Sequence, residues 1–77
     1  MSDIIVVFRS RSEALAFNSL LASRGVRGRV VNTPRALSAG CGLSIVASGF
    51  AKSVALALCP ADATVYEVLG NGYSKIG

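Results

Sequence analysis

Residues Ile4 to Phe8 form an unbroken apolar run, β-branched at Ile4, Ile5, Val6 and Val7. Branching at Cβ stiffens the side chain and suits it to a pleated surface, and an apolar run without alternation belongs to a central strand covered on one or both faces. A central strand needs neighbours on both sides and a covering layer, and 77 residues leave room for only one core. The expected unit is therefore one small domain over residues 1–77, which excludes two-domain enzymes and solenoid arrays.

The rest of the chain supplies the covering elements. Ser10 and Glu13 stand at capping-box spacing, and Ala14, Phe17, Leu20 and Leu21 share one helical face. Arg24 and Gly25 then end the helix with a cation and a glycine stop. Val26 to Val31 reads as a second strand, with Arg27 and Arg29 facing away from Gly28 and Val30. Thr33 and Pro34 predict an N-cap and first residue of a short helical turn over 34–38. Leu43 to Ser48 predicts a third strand, and Ser48 caps a second helix that runs to about Leu58 before Pro60 stops it. Thr64 to Leu69 alternates as a fourth strand, and Gly70, Asn71 and Gly72 open a tail over 70–77 of the composition that often stays flexible.

This order predicts an α+β, ferredoxin-like two-layer sandwich: βαββαβ, a four-stranded antiparallel sheet with two helices on one face. The open face of such a sheet is an expected surface for a homodimer.

Composition narrows the chemistry. Eight Lys and Arg against four Asp and Glu give a net charge of +4, and the six arginines, Arg9, Arg11, Arg24, Arg27, Arg29 and Arg35, all lie in the N-terminal half. That half is the candidate anion-facing region. There is no histidine, so base catalysis at neutral pH would need a strongly shifted carboxylate, lysine or thiol, which argues against an ordinary hydrolase. Two cysteines without histidine cannot complete a four-ligand zinc site. No metal or other cofactor is expected. Apolar residues make up 52% of the chain and mean hydropathy is +0.57, far from the signature of disorder. No apolar run approaches the roughly 18 residues that span a bilayer. With an acid at Asp3 where a signal peptide carries basic residues, a cytoplasmic location is expected, without membrane association.

The segment with reactive potential runs from Ser38 to Leu43. Cys41 stands between Gly40 and Gly42, which give its thiol little cover and let nearby backbone N–H groups turn toward a sulfur anion. Arg35, six positions earlier, would favour the thiolate in the same direction. Cys41 is the candidate reactive thiol, with Arg35, Ser38, Gly40 and Gly42 as candidate binding residues around it.

Thr33-Pro34-Arg35, Leu37, Ser38 and then Cys41-Gly42-Leu43 resemble the signature of the selenium/sulfur carrier protein-like family. There a strand ends in a Pro-Arg step, and a Cys-Gly-Leu or Cys-Gly-Ile opens the next strand. The similarity extends over nearly the whole chain, through Val6 to Phe8, Ser10 and the helix start at Glu13 to Leu15. The resemblance implies a small cytosolic α+β protein whose cysteine, Cys41 here, holds sulfur or selenium as a persulfide or selenopersulfide. It passes that atom from a donor such as a cysteine desulfurase or selenocysteine lyase to an acceptor. Two features depart from the family pattern: Arg9 and Arg11 stand where members often have a histidine and other polar residues, and Cys59 has no counterpart.

A strand of about 20 Å leaving Cys41, followed by a helix returning about 15 Å, brings Cys59 back to the same edge of the domain. Arg24 is expected at that edge as well, with Arg9 and Arg11 at the other. Arg24 and Cys59 are therefore candidates for a secondary role, although an apolar helix end more often buries its cysteine. Two other classes stay open: a binding module for anions or nucleic acid, and an oligomeric structural subunit. Nucleic acid is disfavoured because at most Phe8 and Tyr66 among the aromatics fall on expected strands.

Overall fold

The computed structural model describes residues 3–34, 37, 43–59 and 63–76. In chain order Ile4–Val7 form β1, Arg11–Ser23 α1, Arg29–Asn32 β2 and Leu43–Ala47 β3. A 3₁₀ turn at Gly49–Ala51 leads into α2 at Lys52–Leu58, and Thr64–Leu69 and Gly72–Lys75 form β4 and β5. The five strands make one antiparallel sheet in the order β2-β3-β1-β4-β5. β1 and β2 are parallel to each other with β3 between them, and β3 and β4 straddle β1 in the same way. Each helix thus spans a gap that a strand of the other unit fills.

The α+β class and the two helices agree with the sequence. The four-stranded βαββαβ expectation is corrected, because the segment read as a tail adds β5. Leu69 pairs with Gly72, so Gly70 and Asn71 close a two-residue hairpin, the loop length and composition that favour a tight antiparallel return. The return satisfies the outer edge of β4, which would otherwise present unpaired N–H and C=O groups. The ladder continues past β5, where the Ile76 N–H donates to the Val65 carbonyl at 2.9 Å.

α1 starts and stops where local chemistry dictates. Ser10 Oγ accepts the Glu13 N–H at 3.2 Å and donates to Glu13 Oε1 at 3.1 Å. At the other end Gly25 has φ +78, and the N–H groups of Gly25 and Val26 reach the carbonyls of Ala22 and Leu21. These are the paired bonds of a Schellman cap, which needs a residue free to adopt positive φ. The Val26 N–H is committed to this cap, so β2 pairs only from Arg29 and is shorter than the expected 26–31. Ala14, Phe17 and Leu21 are buried. Leu20, expected beside them, is 38% exposed, since its position lies about 100° around the helix from that of Leu21. Ser48 caps as expected, its Oγ accepting the Phe50 N–H at 3.3 Å. The turn it caps is 3₁₀, and α-helix begins only at Lys52.

The core lies between sheet and helices. Ile4, Val6, Phe8, Ile45, Ala47 and Val65 face Ala14, Phe17 and Leu21 of α1 and Ala55 of α2. The rings of Phe8 and Phe17 meet at 5.1 Å with a 52° tilt, a favoured aromatic arrangement. Gly28 admits α1 closely: a Cβ there would stand 2.5 Å from Asn18 Oδ1 and 2.8 Å from Ile45 Cγ2. The opposite face of the sheet bears Ile5, Val7, Ser44, Val46 and Tyr66; Ile5, Val7 and Ser44 are buried there as well, although neither of the described helices lies over that face.

Candidate functional site

The chain between β2 and β3 runs from Thr33 to 42 and is closed by the pairing of Asn32 with Leu43. Its first residues are shaped by local bonds. The Leu37 N–H donates to the Pro34 carbonyl at 2.9 Å, an i to i+3 bond; the rest of the helical turn expected over 34–38 lies outside the described residues. Thr33 Oγ1 and Ser44 Oγ share a hydrogen bond of 2.6 Å. Thr33 lies two residues beyond Val31, which pairs with Ser44, so the two hydroxyls are diagonal neighbours on the face of the sheet opposite α1 and α2. Ser44 is fully buried, and this bond satisfies its hydroxyl.

The candidate thiol Cys41 and its candidate binding residues Arg35, Ser38, Gly40 and Gly42 lie outside the described residues. What the structure describes is the end of the sheet from which that segment departs and to which it returns. Leu43 and Ser44 open β3, Val7 pairs with both Ser44 and Thr64, and Asn32 closes β2. Cys59 follows α2 at this same end. Its half-buried side chain packs against the core, and its thiol donates to the Ala63 carbonyl at 3.6 Å.

The cations at this end differ from the expectation. β1 points toward it, so α1 begins there, and Arg9 and Arg11 stand exposed beside the start of β3. Over thirteen residues α1 then travels roughly 20 Å away. Arg24 therefore sits at the far end, where Gly25 and Val26 border a hollow with Ser48 and Phe50. The placement of Arg24 beside Cys41, with Arg9 and Arg11 opposite, is corrected: a helix antiparallel to β1 must start where β1 stops, and antiparallel β3 starts there too. Strand direction alone carried this signal in the sequence.

Arg11 is also the first residue of α1, where a cation opposes the positive end of the helix dipole. Among the described residues no group of His, Cys, Asp and Glu could hold a metal ion, and no described helix is long and apolar enough to cross a membrane.

No curated protein and no solved structure matches the chain. A family model described as "Putative Se/S carrier protein-like" matches residues 3–65. The match takes in β1 through the start of β4 together with the whole segment that bears Cys41, and the chain belongs to the Se/S carrier protein-like family.

Proposed function

We propose that the chain carries a sulfur or selenium atom on Cys41, as a persulfide or selenopersulfide, between a donor enzyme and an acceptor. The observation that carries this reading is the family match across the Cys41 segment. Chain connectivity supports it. Cys41 is two residues from Leu43 in sequence, so it cannot lie more than about 7 Å from the start of β3. That is the end of the sheet where Arg9 and Arg11 stand exposed.

The transfer needs no redox partner. The Cys41 thiolate attacks the terminal sulfur of a donor persulfide; a new S–S bond forms on Cys41 as the donor S–S bond breaks, and the donor cysteine leaves as thiolate. The proton on the terminal sulfur travels with it. Delivery to an acceptor thiolate runs the same step outward, and selenium replaces the terminal sulfur without changing the balance. Arg35 and backbone N–H groups at Gly40 and Gly42, with Ser38, would hold the anionic terminal atom. Arg9 and Arg11 add positive potential that favours the thiolate. Cys59, with its thiol on the Ala63 carbonyl, has a structural part.

Cys41→Ser tests the reading. Incubated with a cysteine desulfurase or selenocysteine lyase and its substrate, the variant should keep the wild-type circular dichroism spectrum and take up no sulfur or selenium, while Cys59→Ser should load as the wild type does. Loading of Cys41→Ser at the wild-type level would overturn it.

A further inference from the structure

We infer that two adjoining hollows, at the end of the sheet where β1 begins and β3 ends, bind a mononucleotide, with Phe50 against the base and Arg27 and Arg29 on the phosphate. The inference does not rest on the carrier reading. The first hollow holds about 280 Å³; Val26, Ala51 and Val54, all packed on the core, line it together with Phe50 and Arg27. The second holds about 250 Å³ and is bordered by Arg27, Arg29 and Asp3. Arg27 and Ser48 line both, so the two hollows adjoin. Together they fall in the range of small-ligand pockets, about 300–1,000 Å³.

Local structure sets these residues in place. The Gly25 and Val26 N–H groups are bound in the cap of α1, and Gly28 lies too close to Asn18 and Ile45 to carry a Cβ. Arg27 stands between these two fixed points, so its backbone is held while its side chain is exposed. It also lines a third hollow, beside Asn18 and Ala22 of α1. Phe50 is 80% exposed, the most exposed large apolar side chain among the described residues. The turn capped by Ser48 presents it outward while the next residue, Ala51, is buried. A ligand that covers this ring gains the free energy of taking it out of water.

Shape selects the ring. An open hollow with an aromatic ring and a guanidinium at its walls can stack a flat base on either, and every base has a face that stacks. A flexible alkyl chain would need enclosure on all sides to bury its surface. Charge selects the phosphate. A phosphate monoester carries about two negative charges and three acceptor oxygens at neutral pH. It matches the forked donors of Arg27 and Arg29 better than a carboxylate or a phosphodiester, each with a single charge. Arg24, exposed at the end of α1, adds a third cation, and Asp3 offsets one of the three.

The test is an NMR titration with adenosine monophosphate, read on the backbone amides. Saturable shifts are expected from Val26 to Arg29 and from Ser48 to Val54. Affinity should be about tenfold or more above that for adenosine or inorganic phosphate alone, since joining the two groups makes the second contact intramolecular. Phe50→Ala and Arg27→Gln alter exposed side chains and should each weaken binding about tenfold with the circular dichroism spectrum unchanged. Asp3→Asn removes a like charge from beside the phosphate and should tighten it. Added salt should weaken the nucleotide and leave adenosine unaffected. Shifts that do not saturate in the wild type, or an affinity unchanged in both Phe50→Ala and Arg27→Gln, overturn the site. An oligoadenylate without a terminal phosphate that binds as tightly as the mononucleotide would give the hollows to single-stranded nucleic acid, which overturns the inference equally.

Discussion

Thr33 and Ser44 face each other across the mouth of the segment that bears Cys41, their hydroxyl oxygens 2.6 Å apart, with Ser44 fully buried. The bond ties the last turn of chain after β2 to the first residues of β3, so it fixes where the segment begins and ends. Thr33→Val keeps the shape and leaves the Ser44 hydroxyl buried without this partner, at a cost of about 1–3 kcal/mol. Urea denaturation should show that loss, and the double variant Thr33→Val/Ser44→Ala should recover most of it. A double variant as unstable as the single one would mean that the bond is not what Ser44 contributes.

Gly28 lets α1 lie close against the sheet. In Gly28→Ala the new methyl meets Ile45 Cγ2 at 2.8 Å. Asn18 can swing aside, but Ile45 is fully buried with no room to give. The expected net cost is about 1 kcal/mol or more, since overpacking outweighs the gain from a stiffer unfolded chain. A thermal melt of the variant should fall by several degrees, and an unchanged melting temperature would show that α1 moves freely over β2.

Much of this fold was legible in the sequence. The Ile4 to Phe8 run announced a buried strand, Ser10 and Glu13 the start of α1, and Gly25 its end. β5 was missed because Gly70, Asn71 and Gly72 were read as the opening of a tail of flexible composition, although a two-residue Gly-Asn loop between alternating segments is a hairpin signal. The missed strand puts Tyr73 and Lys75 on the same face of the sheet as Tyr66. Phe8, one of the two aromatics expected on a strand, lies in the core against Phe17. Arg24 was misplaced for a different reason: hydrophobic periodicity marks faces but says nothing of which end of the sheet an element occupies.

The fifth strand gives its own test. With its N–H bonded to Val65 and its side chain against the core, the Ile76 amide should exchange with solvent far more slowly than an exposed one. Exchange at the rate of an unstructured amide would detach β5 from the sheet.

Arg11 separates stability from function. A cation at the first position of α1 works against the helix dipole, so Arg11→Glu should stabilise the protein by about 0.3–1 kcal/mol. The same change removes positive potential from the end of the sheet where Cys41 is tethered, so the rate at which iodoacetamide alkylates Cys41 at neutral pH should fall. An unchanged alkylation rate would remove Arg11 from the account of the thiol.

The carrier claim itself is tested most directly by intact mass spectrometry, after incubation with a cysteine desulfurase or selenocysteine lyase and its substrate, alkylation without reductant and peptide mapping. The account predicts one added sulfur or selenium on Cys41, removed by dithiothreitol and absent from Cys59. A protein in which neither cysteine gains mass, with Cys41 resistant to alkylation in the folded state, would contradict it.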